Sequence, residues 1–138
     1  MRTVLITGVS TGIGKSIAIK LLENNFYVIG SVRKAEDAKE LEALFKDKFK
    51  SIILDVTDKD AIYNSVATVK EFLEQNKSYL CSVINNAGIG IGGPLRYLDI
   101  EIYKKQFDVN FFGLINVTKA FLDLLIESNN YPLKNKII

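Results

Sequence analysis

Short apolar runs alternate with segments of helical periodicity along the whole chain. The runs are too short for helices and are mostly apolar throughout, which is typical of strands buried on both faces of a sheet. The predicted strands cover residues 2–7, 26–31, 51–54, 80–85 and 136–138, and the predicted helices cover residues 13–24, 35–46, about 57–75 and about 100–128. Such alternation favours an α/β fold with a parallel sheet, right-handed crossovers and helices on both faces.

Two helix ends have specific signals. Asn24 ends the first predicted helix and Asn25 follows it, and neither side chain favours its extension. Thr57 with Asp60 has the spacing of a capping box, so we expect the third helix to begin at Thr57.

A glycine cluster lies between the first predicted strand and the first predicted helix. Gly8, Gly12 and Gly14 read G-x-x-x-G-x-G, which differs from the G-x-G-x-x-G spacing of many dinucleotide sites. Glycine lets a backbone come close to a pyrophosphate, and the N–H groups and dipole of the following helix favour its negative charge. The alternative is that these glycines serve only a tight bend or close helix packing.

Polar and small residues follow the other predicted strands. In a parallel α/β sheet ligands bind beyond the carboxyl ends of the strands, so these residues are candidates for one cleft. They are Val32-Arg33-Lys34 after the second strand, Asp55-Val56 after the third, and Asn86-Ala87-Gly88 after the fourth.

Composition limits the classes of partner. The 138 residues carry 18 Lys and Arg against 16 Asp and Glu, and a net charge of +2 gives no broad basic field for nucleic acid. No apolar run comes near the roughly 18 residues of a membrane span, and no signal-peptide pattern precedes the first strand, so a cytoplasmic location is expected. With Cys81 as its one cysteine and no histidine, the chain offers neither an internal disulfide nor material for a zinc site.

These motifs resemble those of the classical short-chain dehydrogenases and reductases. The family's T-G-x-x-x-G-I-G is matched by residues 7–14 and its N-N-A-G by residues 85–88, while Asp55-Val56 resembles the acidic pair at the adenine end. The resemblance covers the entire chain. It implies a Rossmann-like doubly wound parallel sheet, a single NAD(P)-binding domain over residues 1–138 that ends after about five strands, and hydride transfer between NADP(H) and a carbonyl or alcohol substrate. The cofactor-binding residues it implies are Gly8, Ser10, Thr11, Gly12, Ile13, Gly14, Arg33, Asp55, Val56, Asn86, Ala87 and Gly88.

The charge after the second strand favours NADP over NAD. An acidic residue there would bind the ribose hydroxyls of NAD, but Val32 occupies that position and Arg33 follows it. A guanidinium can bind a phosphate with two parallel hydrogen bonds. The alternative is NAD, with Arg33 and Lys34 as solvated loop charges that Glu36 and Asp37 offset.

Asn110 lies on an apolar stripe of the long fourth helix. The stripe consists of Tyr103, Phe107, Leu114, Val117, Phe121 and Leu124, so Asn110 is expected to face the core and to need hydrogen-bond partners. It could tether backbone groups or a buried water. The resemblance implies more, because Asp108-Val109-Asn110 matches a family D-V-N segment whose asparagine holds a water in the proton relay. Gly113 is expected to allow close helix packing, and residues 89–95 are expected to form a flexible apolar border of the substrate pocket.

The family's remaining catalytic residues have no match in this sequence. The serine that the family has after the fifth strand and the Y-x-x-x-K pair are both absent. None of the six tyrosines has a lysine four residues later. Without a tuned proton donor, the chain alone is expected to be inactive. The favoured hypothesis is the N-terminal portion of an NADP-dependent oxidoreductase; the alternatives are one chain of a split enzyme and a non-catalytic nucleotide-binding or interaction protein. An apolar strand edge and the long helix favour self-association.

Overall fold

The sheet is parallel and five-stranded, as the alternation predicts. In the computed structural model, which describes residues 1–127 and 136–138, the strand order is β3-β2-β1-β4-β5. The strands are β1 (Arg2–Ile6), β2 (Tyr27–Val32), β3 (Phe49–Ile53), β4 (Tyr79–Ile84) and β5 (Lys136–Ile137). Thr3 aligns with Tyr27 of β2 on one side of β1 and with Leu80 of β4 on the other. The predicted fold class is therefore confirmed.

The helices cover the two faces of the sheet. They are α1 (Gly12–Glu23), α2 (Lys39–Phe45), α3 (Lys59–Gln75), α4 (Ile100–Phe107) and α5 (Leu114–Glu127). A 3₁₀ turn over Ala35–Ala38 precedes α2, and a π-helical turn over Asp108–Gly113 joins α4 to α5. The predicted second helix thus begins as a 3₁₀ turn, and the predicted fourth helix contains a π turn that periodicity did not indicate. Its predicted last residue, 128, lies outside the described residues.

Alternate residues of the strands enter two separate cores. Val4 and Ile6 of β1 pack with Leu22 of α1 and Leu41 of α2. Leu5 points the other way and packs in the core that α3 and α5 build; the helical members of that core include Ile62, Val69, Val117 and Phe121. The chain order reverses between β1 and β4, so the crevice for a ligand is expected at their carboxyl ends.

Two helix ends compare differently with the sequence predictions. Asn24 is the C-cap of α1, and Asn25 after it has a left-handed φ of 60°, so the helix ends where predicted. The predicted cap of α3 was wrong by one residue: the N-cap is Asp58 and not Thr57, and its carboxylate accepts from the N–H of Ala61 at 2.9 Å. Thr57 instead donates to Asp55, which removes it from the cap.

The helical stretch Ile100–Glu127 is long and apolar enough to cross a membrane by length and composition, with a mean hydropathy of 1.5 over its most apolar 18 residues. The sequence prediction considered only uninterrupted apolar runs and did not single out this stretch, in which polar residues such as Asn110 and Asn116 separate the apolar ones. Val117, Phe121 and Leu125 of this stretch are buried in the protein core. Because core helices can have the same length and mean hydropathy, these two properties alone do not identify a membrane-spanning segment. A cytoplasmic location stays a prediction.

Candidate functional site

The turn after β1, residues 7–14, is called the glycine turn below. Its first residues are tied to β2. The N–H of Gly8 donates to the carbonyl oxygen of Ser31 at 3.1 Å and to its hydroxyl at 3.0 Å, and the N–H of Val9 donates to the same carbonyl at 2.9 Å. Ser31 is buried, so water competes little for these bonds. The turn therefore leaves the sheet in a fixed direction.

Residues at the end of β4 hold the glycine turn from the other side. The side-chain amide of Asn86 donates to the carbonyl oxygens of Thr7 at 3.0 Å and Gly8 at 2.8 Å. The N–H of Ala87 donates to the Thr7 hydroxyl at 2.9 Å. Three strand ends, those of β1, β2 and β4, are thus joined around one turn. Sequence reasoning placed Asn86 at a strand end among the cofactor-binding residues and missed its hydrogen bonds to the turn.

The three glycines of the turn have different structural roles. Gly8 has a φ of 74°, and a Cβ there would lie 3.1 Å from the Cα of Ala87. A Cβ on Gly14 would overlap the carbonyl oxygen of Gly8 and the amide nitrogen of Asn86. The alternative of a tight bend and close packing therefore accounts for Gly8 and Gly14.

Gly12 is different because close packing does not explain it. Its φ is 60°, and beyond its chain neighbours and the backbone of its own helix a Cβ there would meet no atom of the described residues within 4 Å. Thr11, Gly12 and Ile13 are exposed at the start of α1, with Ile13 76% exposed. Thr11 is the N-cap in an extended conformation, and within the described chain no side chain caps the helix and no acidic residue lies in its first turn. This helix end can therefore accept an anion.

On the β3 side of the cleft, Asp55 is held by Thr57. One carboxylate oxygen of Asp55 accepts from the hydroxyl of Thr57 at 2.7 Å and from its N–H at 2.9 Å. These bonds, and secondarily the positive charges of Arg33 and Lys105, lower the pKa of Asp55 below its usual range although partial burial opposes them. Asp55 is exposed and stays ionised, so it can accept hydrogen bonds from a ligand.

Val56 differs from its neighbour because its side chain is buried. Gly113 packs directly against it: a Cβ on Gly113 would lie 2.8 Å from Cγ2 of Val56. The prediction that Gly113 allows close packing is confirmed. Only the backbone of Val56 is left for a ligand.

Arg33 and Lys34 are exposed after β2, as their sequence suggested. Arg33 lies close enough to Asp55 to affect its pKa. A second feature of this side was missed by sequence reasoning: Lys15 of α1 pairs with Glu40 of α2 at 2.6 Å. This pair links α1 to α2. Arg33 takes part in none of the ion pairs among the described residues.

Asn110 lies in the π turn and binds a backbone segment rather than the core. Its amide nitrogen donates to the carbonyl oxygen of Ile89 at 2.8 Å, and its amide oxygen accepts from the N–H of Ile89 at 2.8 Å. Asn110 is exposed, so the expectation that it faces the core was wrong. The predicted stripe faces the core only from Val117 onward, because Phe107 and Leu114 are exposed while Val117 and Phe121 are buried. The tether to backbone groups, which sequence reasoning offered as an alternative, is present.

Gln106, one turn before Asn110, makes the same kind of contact with Ile91. Its amide oxygen accepts from the N–H of Ile91 at 2.9 Å, and its amide nitrogen donates to the carbonyl oxygen at 3.1 Å. Sequence reasoning missed Gln106 and described residues 89–95 as flexible. The signal available was the second amide side chain four residues before Asn110.

The candidate residues form two groups on either side of the glycine turn. Asn86, Ala87 and Gly88 lie on the β4 side, where a Cβ on Gly88 would come within 3.2 Å of Oδ1 of Asn110. Arg33 and Asp55 lie on the β2 and β3 side. The half-buried Ser10 and the exposed Thr11 lie between the groups. The arrangement suits an elongated ligand with a central anion.

Comparisons with known proteins point to one family. The family model described as short chain dehydrogenase matches residues 2–130. The chain is 38% identical over 138 residues to the NADPH-dependent 3-dehydrocapnine reductase of Ornithobacterium rhinotracheale, covering 100% of this chain and 48% of that protein. A short-chain dehydrogenase of Streptomyces avermitilis superposes with a TM-score of 0.86 at 28% identity, covering 99% of this chain and 47% of that one.

A second solved structure, the closed form of serine dehydrogenase complexed with NADP⁺, has a TM-score of 0.83 at 26% identity and covers 96% of this chain and 57% of that one. The chain thus spans about half the length of the proteins it matches.

Proposed function

The chain belongs to the short-chain dehydrogenase family, and from that premise we propose that it is the nucleotide-binding part of an oxidoreductase that transfers a hydride between NADP(H) and a carbonyl or alcohol substrate. The observation that carries the proposal is Gly12, whose left-handed backbone faces open space at the start of α1. Gly8 and Gly14 have packing neighbours that explain them, whereas Gly12 has none among the described residues. A pyrophosphate approaching the backbone would account for it.

The residues of the turn fit a dinucleotide in the following way. The N–H groups at the start of α1 and the hydroxyls of Ser10 and Thr11 would bind the pyrophosphate, with Ile13 beside it. Asp55 and the backbone of Val56 would hold the adenine end. Bound NADP(H) supplies the hydride chemistry; the chain's own residues bind and orient it.

The β4 side would hold the nicotinamide half of the dinucleotide. Asn86 fixes the glycine turn, and Ala87 and Gly88 would border the cofactor beyond β4. Asn110 is proposed to take part in catalysis by holding a water of the proton relay, in addition to its bonds to Ile89.

NADP is proposed over NAD because of Arg33. Arg33 is exposed and forms no ion pair among the described residues. Lys34 follows it in the sequence, so two cationic side chains would be available to bind a 2′-phosphate. The matched reductase of Ornithobacterium is NADPH-dependent, and a matched serine dehydrogenase structure contains NADP⁺.

The 138-residue chain by itself is proposed to bind the cofactor without turning over a substrate. It contains no tyrosine followed by lysine four residues later and no histidine, so it lacks a proton donor tuned by a neighbouring cation. Self-association is also proposed, because Phe107, Phe111 and Phe112 are each more than half exposed on one helical stretch.

The test is a calorimetric titration of the 138-residue chain with NADPH and, in parallel, NADH. We expect saturable binding that favours NADPH, and Arg33→Ala should weaken NADPH more than NADH. The control is Arg2→Ala, at the opposite end of β1, where the guanidinium lies over the Phe26 ring at 4.0 Å. No binding of either nucleotide would overturn the proposed function; equal losses for both in Arg33→Ala would overturn the phosphate-reading role of Arg33.

A further inference from the structure

Two side-chain amides of the long helical stretch bind alternate residues of the segment after β4. Asn110 makes two hydrogen bonds with the backbone of Ile89, both of 2.8 Å, and Gln106 makes two with the backbone of Ile91, of 2.9 and 3.1 Å. Each amide uses its donor and its acceptor on a single residue, as a neighbouring strand would. Gln106 and Asn110 are called the amide pair below.

The spacing of the amide pair matches the spacing of the residues it binds. Four helical residues rise about 6 Å, and two residues of extended chain span between about 6 and 7 Å. The helix can therefore hold residues 89 and 91 in register only if the segment between them is extended. A single amide would fix the position of one residue of this segment, whereas the amide pair also fixes the direction in which residues 89–91 run.

The location of this segment relates it to the proposed dinucleotide. Arg33 and Asp55 lie on the β2 and β3 side of the glycine turn, so an adenosine half there leaves the nicotinamide half on the β4 side. Residues 89–91 continue from β4 on that side, directly after Gly88, which lies against Asn110. The segment is therefore next to the reacting end of the cofactor.

We propose that Gln106 is a positioning residue. By holding Ile91 it completes the amide pair and fixes the position of residues 89–91, which border the nicotinamide and the substrate. The inference rests on the proposed nucleotide-binding function. In an extended segment the N–H and C=O of the middle residue point opposite to those of its two neighbours. Gly90 thus turns its backbone polar groups away from the helix, and beyond its two chain neighbours a Cβ there would meet no atom of the described residues within 4 Å.

The test replaces Gln106 with methionine, which has a similar length and lacks both hydrogen-bonding groups. NADPH binding is compared with binding of 2′-phospho-ADP-ribose, which has the same adenosine and pyrophosphate groups but no nicotinamide. We expect Gln106→Met to weaken NADPH by about fivefold, because residues 89–91 lose one of their two fixed points beside the nicotinamide, and to leave binding of the fragment unchanged. The matched control is Gln75→Met on α3, where the amide bonds only to Glu71 among the described residues and both ligands should bind as in the wild type.

A second readout needs no nucleotide. Amide hydrogen exchange should accelerate at Ile91 in Gln106→Met while β1 and β2 exchange as in the wild type. Unchanged exchange at Ile91 would overturn the contact itself. Equal effects on NADPH and the fragment, or none on either, would overturn the positioning role. Failure of the wild type to bind either ligand would instead overturn the proposed function and, with it, the proposal that residues 89–91 border the nicotinamide.

Discussion

Gly14 and Gly12, two residues apart in the glycine turn, should respond in opposite ways to alanine. In Gly14→Ala the new Cβ would overlap the Gly8 carbonyl oxygen and the Asn86 amide, so the turn or the Asn86 side chain has to move. Overpacking of this kind costs about 2 kcal/mol, and the two bonds donated by Asn86 are worth about 1 kcal/mol each. Replacing glycine by alanine inside a helix stabilises the folded state by about 1 kcal/mol, which offsets part of this loss. The expected net loss is about 3 kcal/mol, or about 10 °C in Tm for a domain of this size.

Gly12→Ala should affect the nucleotide more than the fold. Its left-handed φ of 60° costs an alanine about 1 kcal/mol, and no described neighbour obstructs the new methyl group. A Tm loss of only about 3 °C is expected, together with a loss of NADPH binding greater than about tenfold, because the methyl would hold the pyrophosphate away from the backbone.

The assays are thermal unfolding followed by circular dichroism, and NADPH titration at a temperature where both variants are folded. The reasoning is refuted if Gly14→Ala unfolds within about 2 °C of the wild type, a shift of well under 1 kcal/mol. It is also refuted if Gly12→Ala is the less stable of the two variants, or if it binds NADPH as the wild type does.

Two further predictions concern hydrogen bonds at the strand ends. Thr7→Val keeps the shape of a buried side chain but leaves the Ala87 N–H without its acceptor, so urea unfolding should show a loss of about 1–3 kcal/mol, whereas Thr7→Ser should stay near the wild type. The Thr57 bonds lower the pKa of Asp55 in the folded state, so its ionised form stabilises the protein at neutral pH, and this stabilisation is lost as the pH falls below about 4. Asp55→Asn should therefore be less stable than the wild type at pH 7, and the difference should shrink towards pH 2; a difference independent of pH would contradict the assignment.

Some features of the fold follow from local properties of the chain. Short apolar runs alternating with helical periodicity predicted the parallel sheet, because buried strands and amphipathic helices leave different periods in the sequence. A left-handed φ restricts a position mainly to glycine, so the glycine turn after β1 was visible before any contact was known. The absence of a Y-x-x-x-K pair could likewise be read directly.

Only the tertiary structure decided how these residues work together, because the deciding contacts join distant parts of the chain. The amide of Asn86 reaches Gly8 across 78 positions, and that contact separates the packing role of Gly14 from the open position of Gly12. The π turn carries Asn110 away from the core, and its contact with Ile89 spans 21 positions. Local sequence periodicity does not predict contacts between residues that lie far apart in the chain. The sequence therefore located the glycine turn and its candidate residues, and the tertiary packing determined which residues contact each other.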